Sequence, residues 1–180
     1  MNSWERVLKA MQLSIPDRIP LYETETSPKI SSVILGKNED EVMVHNPRAF
    51  YDMVMSVREI DLDKLNERIA NEILTICGKL GLDWIRGIGA YDGIPREVEK
   101  IDELTWLING KRYKWSGETM WNLDQPKTYD PDDVKRACKS SKVTVNQKTF
   151  DVLRRLVKEA KGKMFVSFDA DGTWGPILWT

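Results

Sequence analysis

Histidine and cysteine are scarce in this sequence, and their scarcity removes whole classes of chemistry. His45 is the one histidine, and Cys77 and Cys138 are the two cysteines. Neither cysteine has a neighbour at metal-ligand spacing, so a zinc site made wholly within this chain lacks ligands. Two thiols this far apart, one on an amphipathic helix and one in a polar stretch, read as free thiols rather than a disulfide framework. No apolar run approaches the 18 residues or so that a spanning helix requires, and the first residues carry Glu5 where a secretory leader would be apolar. The expectation is a cytoplasmic protein with no membrane partner. Net charge is also missing: 27 basic against 28 acidic side chains leave −1, and no concentrated basic face argues for nucleic acid.

What is present is the pattern of an α/β protein. Leu62, Leu65, Ile69, Ile73, Ile76 and Leu80 recur at steps of three or four, an amphipathic helix that Gly81 would end with a positive φ. A short strand over residues 84–89 follows, then a turn-rich polar loop. Asn2 with Glu5 predicts a capped first helix running to about Leu13. Asn46-Pro47 predicts the start of a second, and Asp61 caps the long one. Residues 31–41 fit no single element. Asn109-Gly110 is the strongest hairpin signal, and it predicts a small two-stranded excursion over about residues 98–123. Asp130 is placed to cap a helix starting at Pro131, residues 139–148 read as irregular, and a further helix starts at Thr149 or Asp151 and stops at Gly162.

Residues 19–23, 84–89 and 164–168 are the three principal strands, the last an apolar run of the buried parallel type. Helix-containing crossovers between them predict a parallel sheet. Three parallel strands leave two open edges, and the apolar run Ile177-Leu178-Trp179 comes just before Thr180 without a cap. The expectation is one incomplete domain over residues 1–180, or an obligate oligomer whose partner chain covers the edges.

Function is sought at the carboxyl ends of the strands, where α/β folds place their ligands. Glu23 ends the first strand as a proton acceptor or cation-binding group, weighed against a solvated role. Asp169 ends the third and is the second catalytic candidate. Asp171 is either a substrate contact or the shaper of the Gly172 turn, and the two aspartates make only a poor hard-cation site. Arg86 within an apolar strand requires a carboxylate or a ligand anion, with Glu23 or Asp169 as partner. Asp92 before Gly93 is a substrate-binding candidate or a turn residue. Trp174 is placed to stack on a ligand or to pack under its loop. No metal ligand is assigned, and His45 reads as a surface residue ahead of a cap.

Trp4-Glu5-Arg6-Val7-Leu8-Lys9-Ala10, followed by Pro16-Asp17-Arg18-Ile19-Pro20, resembles the opening of the uroporphyrinogen decarboxylase-like superfamily. The likeness continues through Asn46-Pro47, Leu80-Gly81-Leu82-Asp83, the hairpin with Tyr113-Lys114-Trp115, and Tyr129-Asp130-Pro131-Asp132-Asp133. It implies the N-terminal portion of a TIM barrel of about twice this length, with flanking helices and an inserted hairpin. The superfamily includes corrinoid-linked methyltransferases that use zinc and a corrinoid and meet a corrinoid protein. Their zinc ligands lie in the later half of the barrel. The decarboxylases carry an arginine-rich motif just after the first strand, where this chain has Glu23-Thr24-Glu25-Thr26. Two carboxylates there would repel a polycarboxylated porphyrinogen. The resemblance thus implies a truncated methyltransferase, inactive alone. The alternatives are a non-catalytic half-barrel subunit that completes a composite site, or a decarboxylase-like enzyme.

Overall fold

The computed structural model describes residues 1–124, 132, 135 and 146–168. The chain is mixed α/β. Among the described residues, five helices described from end to end accompany a parallel pair of strands and a separate four-stranded antiparallel sheet.

Helix α1 (Ser3–Met11) opens on a reciprocal cap: the Asn2 side chain accepts from the Glu5 amide at 2.8 Å, and Glu5 accepts from the Asn2 amide at 3.0 Å. Helix α2 (Pro28–Leu35) starts at Ser27 with proline in its first turn and stops at Gly36, φ 69°. Residues 31–41, ambiguous in the sequence, are therefore the end of this helix and a 3₁₀ turn at Glu39–Glu41. Helix α3 (Pro47–Ser56) is capped by Asn46, and α4 (Leu62–Leu80) by Asp61, with Gly81 left-handed at its end. Helix α5 (Asp151–Ala160) follows a 3₁₀ turn at Gln147–Phe150.

Strand β1 (Trp84–Gly87) pairs in parallel with β6 (Phe165–Phe168), Trp84 opposite Phe165 and Gly87 opposite Phe168. The first predicted strand is corrected. It survives as one parallel bridge, Tyr22 beside Trp84. Pro20 has no amide proton, and the Leu21 amide is diverted to the Asp83 carboxylate at 2.9 Å rather than to a ladder carbonyl. The Asp83 amide still donates to the Leu21 carbonyl at 2.9 Å, and the Phe165 amide to the Asp83 carbonyl at 3.1 Å. The three segments therefore lie in the order first, β1, β6. Among the described residues this sheet is open and does not close into a barrel.

The predicted two-stranded excursion is also corrected. It is a meander of β2 (Val98–Asp102), β3 (Thr105–Ile108), β4 (Lys111–Trp115) and β5 (Met120–Asn122). Asn109-Gly110 makes the central turn, both residues at positive φ. The meander has its own small core, Trp106, Ile108 and Trp115, and docks on α3 where Asp52 accepts from the Trp106 indole at 3.2 Å. The predicted helix start at Asp130 and Pro131 lies outside the described residues.

Helix α4 is the spine of the main core. Leu65, Ile69, Ile73 and Ile76 bury against Val42, Val44, Phe50, Ile85, Val152 and Leu156. Full burial of one such side chain contributes about 2 kcal/mol. Alternation along β1 turns Ile85 and Gly87 toward the helices. A Cβ on Gly87 would lie 2.7 Å from Leu153 Cδ1 and 2.9 Å from the Ser167 carbonyl, which is why glycine stands there. Trp84 and Arg86 take the opposite face. There Trp84 packs between Tyr22 and Phe165 and donates to Ser167 Oγ at 2.7 Å, while α1 reaches the lower end through Trp4 on Phe165. The β6 residues are half-buried rather than buried as predicted.

The lower end of the sheet is locked by ions. The Asp83 carboxylate is fully enclosed and accepts from Ser3 Oγ at 2.6 Å, from Arg18 at 2.6 Å, from the Leu21 amide and from Arg6. Arg6 also forks onto Asp17 at 2.7 and 2.9 Å. Burial works to raise the Asp83 carboxyl, but these donors outweigh it and hold it below the usual carboxylate range; Arg6 holds Asp17 low in the same way. A carboxyl depressed in the folded state contributes stability above its unfolded pKa and loses it as the pH falls. Asp83→Ala should lower stability by about 3 to 5 kcal/mol in chemical denaturation, since it leaves Arg6 buried with half its partners. The wild-type loss on acidification below the carboxylate range should be shallower in this variant.

Candidate functional site

Beside β1, where the first segment leaves the sheet, a cleft opens between four segments. The first strand supplies Glu23, Thr24, Glu25 and Thr26 as it leaves the sheet; the segment before α3 supplies Val44 and His45. Ile73, Ile76 and Cys77 of α4 with Leu82 make the apolar floor, and Arg86 of β1 the wall. This inner part is narrow, with about 30 Å³ of space open to a water-sized molecule. It continues outward past Thr26, Ser27, Ile30 and Leu80 to Glu118, on the turn between β4 and β5. The meander thus brings a third carboxylate to the rim.

Of the sequence candidates, Glu23 and Arg86 meet in this cleft. Arg86 engages a carboxylate of the first segment: its Nη1 lies 3.4 Å from Glu25 Oε2 and 3.2 Å from the Thr24 carbonyl oxygen. Of the two partners expected for it, Glu23 or Asp169, the second lies outside the described residues. Glu23 accepts from the amide of Thr24 at 2.9 Å. Asp92 does not line the cleft. Its Oδ2 accepts from Asn146 Nδ2 at 2.9 Å and Thr149 Oγ1 at 3.0 Å, and so fastens the loop after β1 to the entry of α5. Asp169, Asp171 and Trp174 lie outside the described residues.

His45 is the residue that sequence reasoning missed. Its side chain is only 18 % exposed, with Nδ1 3.5 Å from Glu25 Oε2. Burial lowers the imidazole pKa, Glu25 raises it and Arg86 lowers it, so the ring sits below its usual value and is neutral at pH 7. The backbone at His45 has φ 52°, in the left-handed region that non-glycine residues adopt uncommonly and histidine more readily than most. The one sequence signal was its uniqueness.

That conformation is held from both sides. The Glu72 carboxylate, nearly enclosed on α4, accepts from the amides of Met43 at 2.9 Å and Val44 at 3.0 Å. Lys37 at 2.8 Å and Arg68 at 3.1 Å complete its partners. Burial works to raise Glu72, and the donors, Lys37 foremost, bring it below the usual range. On the other side Asn46 Nδ2 donates to the carbonyls of Glu39 and Val42, both at 3.0 Å, while its oxygen caps α3. Cys77, by contrast, is a packing thiol; burial pushes its pKa up to about 11, which keeps it protonated and a poor nucleophile.

The described residues do not fit a zinc centre. No group of three histidine, cysteine or carboxylate side chains among them converges closely enough to hold a metal ion. Also among them, no helix is long and apolar enough to cross a membrane. No family model matches the chain, and comparison with curated proteins and with solved structures returns no match.

Glu72→Ala should free the Met43 and Val44 amides. We expect their hydrogen-exchange protection to fall to that of exposed loop amides, with stability reduced by about 3 kcal/mol as Lys37 and Arg68 lose their buried partner. Retained protection at both amides would show that the segment carrying His45 is held by something else.

Proposed function

We propose that this chain builds the opening part of a (β/α) barrel like that of the uroporphyrinogen decarboxylase-like superfamily, on its corrinoid-linked methyltransferase branch. In this reading it contributes an acidic rim to a ligand site that further strands complete. The observation that carries the reading is the parallel order first segment, β1, β6, with α4 and α5 against one face and Trp84 and Arg86 on the other, where α1 reaches only the lower end through Trp4. Parallel sheets are stable when both faces are covered, and a barrel interior supplies that cover. The cleft takes in Glu23 to Thr26, which follow the first segment, and the carboxyl end of a strand is where barrels bind their ligands.

The motifs behind the resemblance have physical work at the opposite end. Trp4 packs on Phe165, and Arg6 and Arg18 bind Asp83. They argue for the architecture and carry no information about the reaction. The chemistry of the rim does: Glu23, Glu25 and Glu118 disfavour a polycarboxylated porphyrinogen, which places the decarboxylase reading below the other two. A second reading, a non-catalytic half-barrel subunit that completes a composite site with another chain or a second copy, rests on the same partly covered face.

Supplied with methylcobalamin and a simple thiol, the 180-residue chain should show no methyl transfer above the protein-free rate, with or without one equivalent of zinc. Turnover in the presence of zinc would overturn the proposal that the site is incomplete. Native mass spectrometry separates the two readings, since a stable monomer contradicts an obligate subunit.

A further inference from the structure

The imidazole of His45 and the carboxylate of Glu25 face each other inside the cleft, and nothing in the fold requires a histidine there. A packing role would be served by any medium-sized apolar side chain beside Val44, Ile73 and Ile76. Instead the position holds a polar ring in a left-handed backbone conformation, fixed by Glu72 on one flank and Asn46 on the other. Non-glycine residues held at positive φ by over-determined surroundings concentrate at functional sites. From this juxtaposition we infer that His45 is the proton-transfer group of the cleft, oriented by Glu25, and that its ligand is a small molecule carrying a weakly acidic heteroatom proton, such as a thiol or a hydroxyl.

With Nδ1 turned to Glu25, Nε2 is the nitrogen left to the ligand. The ligand's heteroatom–hydrogen bond breaks, its electron pair stays on the heteroatom, and the proton passes to Nε2. The imidazolium keeps its Nδ1–H toward the Glu25 carboxylate, which offsets the new charge. The 3.5 Å separation is the loose form that such pairs take before a ligand closes them. The charged and titratable groups around the ring are Glu23 and Glu25 from the first segment, Arg86 from β1, Cys77 from α4 and Glu118 from the β4–β5 turn. Arg86 opposes protonation and Glu25 favours it. The wider outer part of the cleft, about 420 Å³ beside His45, Ile30 and Leu80, is where the carbon skeleton of a small ligand fits. This inference rests on the cleft being the ligand site and is independent of methyl transfer.

A single histidine gives one imidazole spin system, so ¹⁵N long-range correlation spectra of the full chain read its tautomer and titration directly. We expect the neutral ring to carry its proton on Nδ1 in the wild type. Glu25→Gln should lower the titration midpoint and shift the tautomer toward Nε2–H, and Arg86→Gln should raise the midpoint. Diethylpyrocarbonate should modify His45 in the folded chain, because the residue lines the open cleft. A wild-type proton on Nε2, a midpoint unmoved in folded Glu25→Gln, or modification only after unfolding would each overturn the assignment. The wild-type tautomer and the diethylpyrocarbonate reaction need no variant, so a misfolded Glu25→Gln does not shelter the proposal. Methyl transfer is not read in any arm, so its failure leaves this result standing, and the reverse holds as well.

Discussion

One enclosed carboxylate, Asp83, sets the geometry on which the rest of the structure depends. A bare carboxylate in an apolar interior would cost several kcal/mol. This one has Ser3, Arg6, Arg18 and the Leu21 amide as donors, and its own backbone joins Leu21 on one side and Phe165 on the other. The node therefore brings α1, the first segment, β1 and β6 to one point. Apolar burial along α4 holds the layer together without direction; the hydrogen bonds at Asp83 specify which segments lie side by side.

Fixing the lower end of the sheet has a consequence at the upper end. With the first segment pinned at Leu21 and bridged at Tyr22, residues 23–26 leave the sheet directly above Arg86. The same economy recurs on α4, where Glu72 orders the two residues before His45. Two buried carboxylates, one at each end, thus position the groups of the cleft without entering it. Arg86 and His45 both approach Glu25, while burial first, and Arg86 with it, holds the imidazole pKa below its usual value against the pull of Glu25.

Local chemistry was legible in the residues, and tertiary chemistry was not. Asn46-Pro47, the Asp61 and Gly81 caps of α4, and Asn109-Gly110 each act through bonds to residues a few positions away, so their types suffice. The turn between β2 and β3 lacks glycine or proline and was missed. It is made by Asp102, whose side chain accepts from the Leu104 amide at 2.9 Å. The first strand was overestimated because nothing in residues 19–23 announces that an amide will go to a side chain 62 positions on. The need of Arg86 for a carboxylate was readable from its apolar strand, but its approach to Glu25 depends on how the segment leaves the sheet. His45 was passed over because its cavity exists only once four distant segments meet.

Amide hydrogen exchange at Leu21, Asp83 and Phe165 tests the account at its root, since these three amides make the node that joins the parallel segments. The account predicts that all three open with the same free energy as the amide of Ile73 in the middle of α4, as parts of one cooperative unit. Leu21 and Asp83 exchanging at loop rates while Ile73 stays protected would contradict it, because the first segment would then not belong to the sheet and the cleft above it would have no fixed wall.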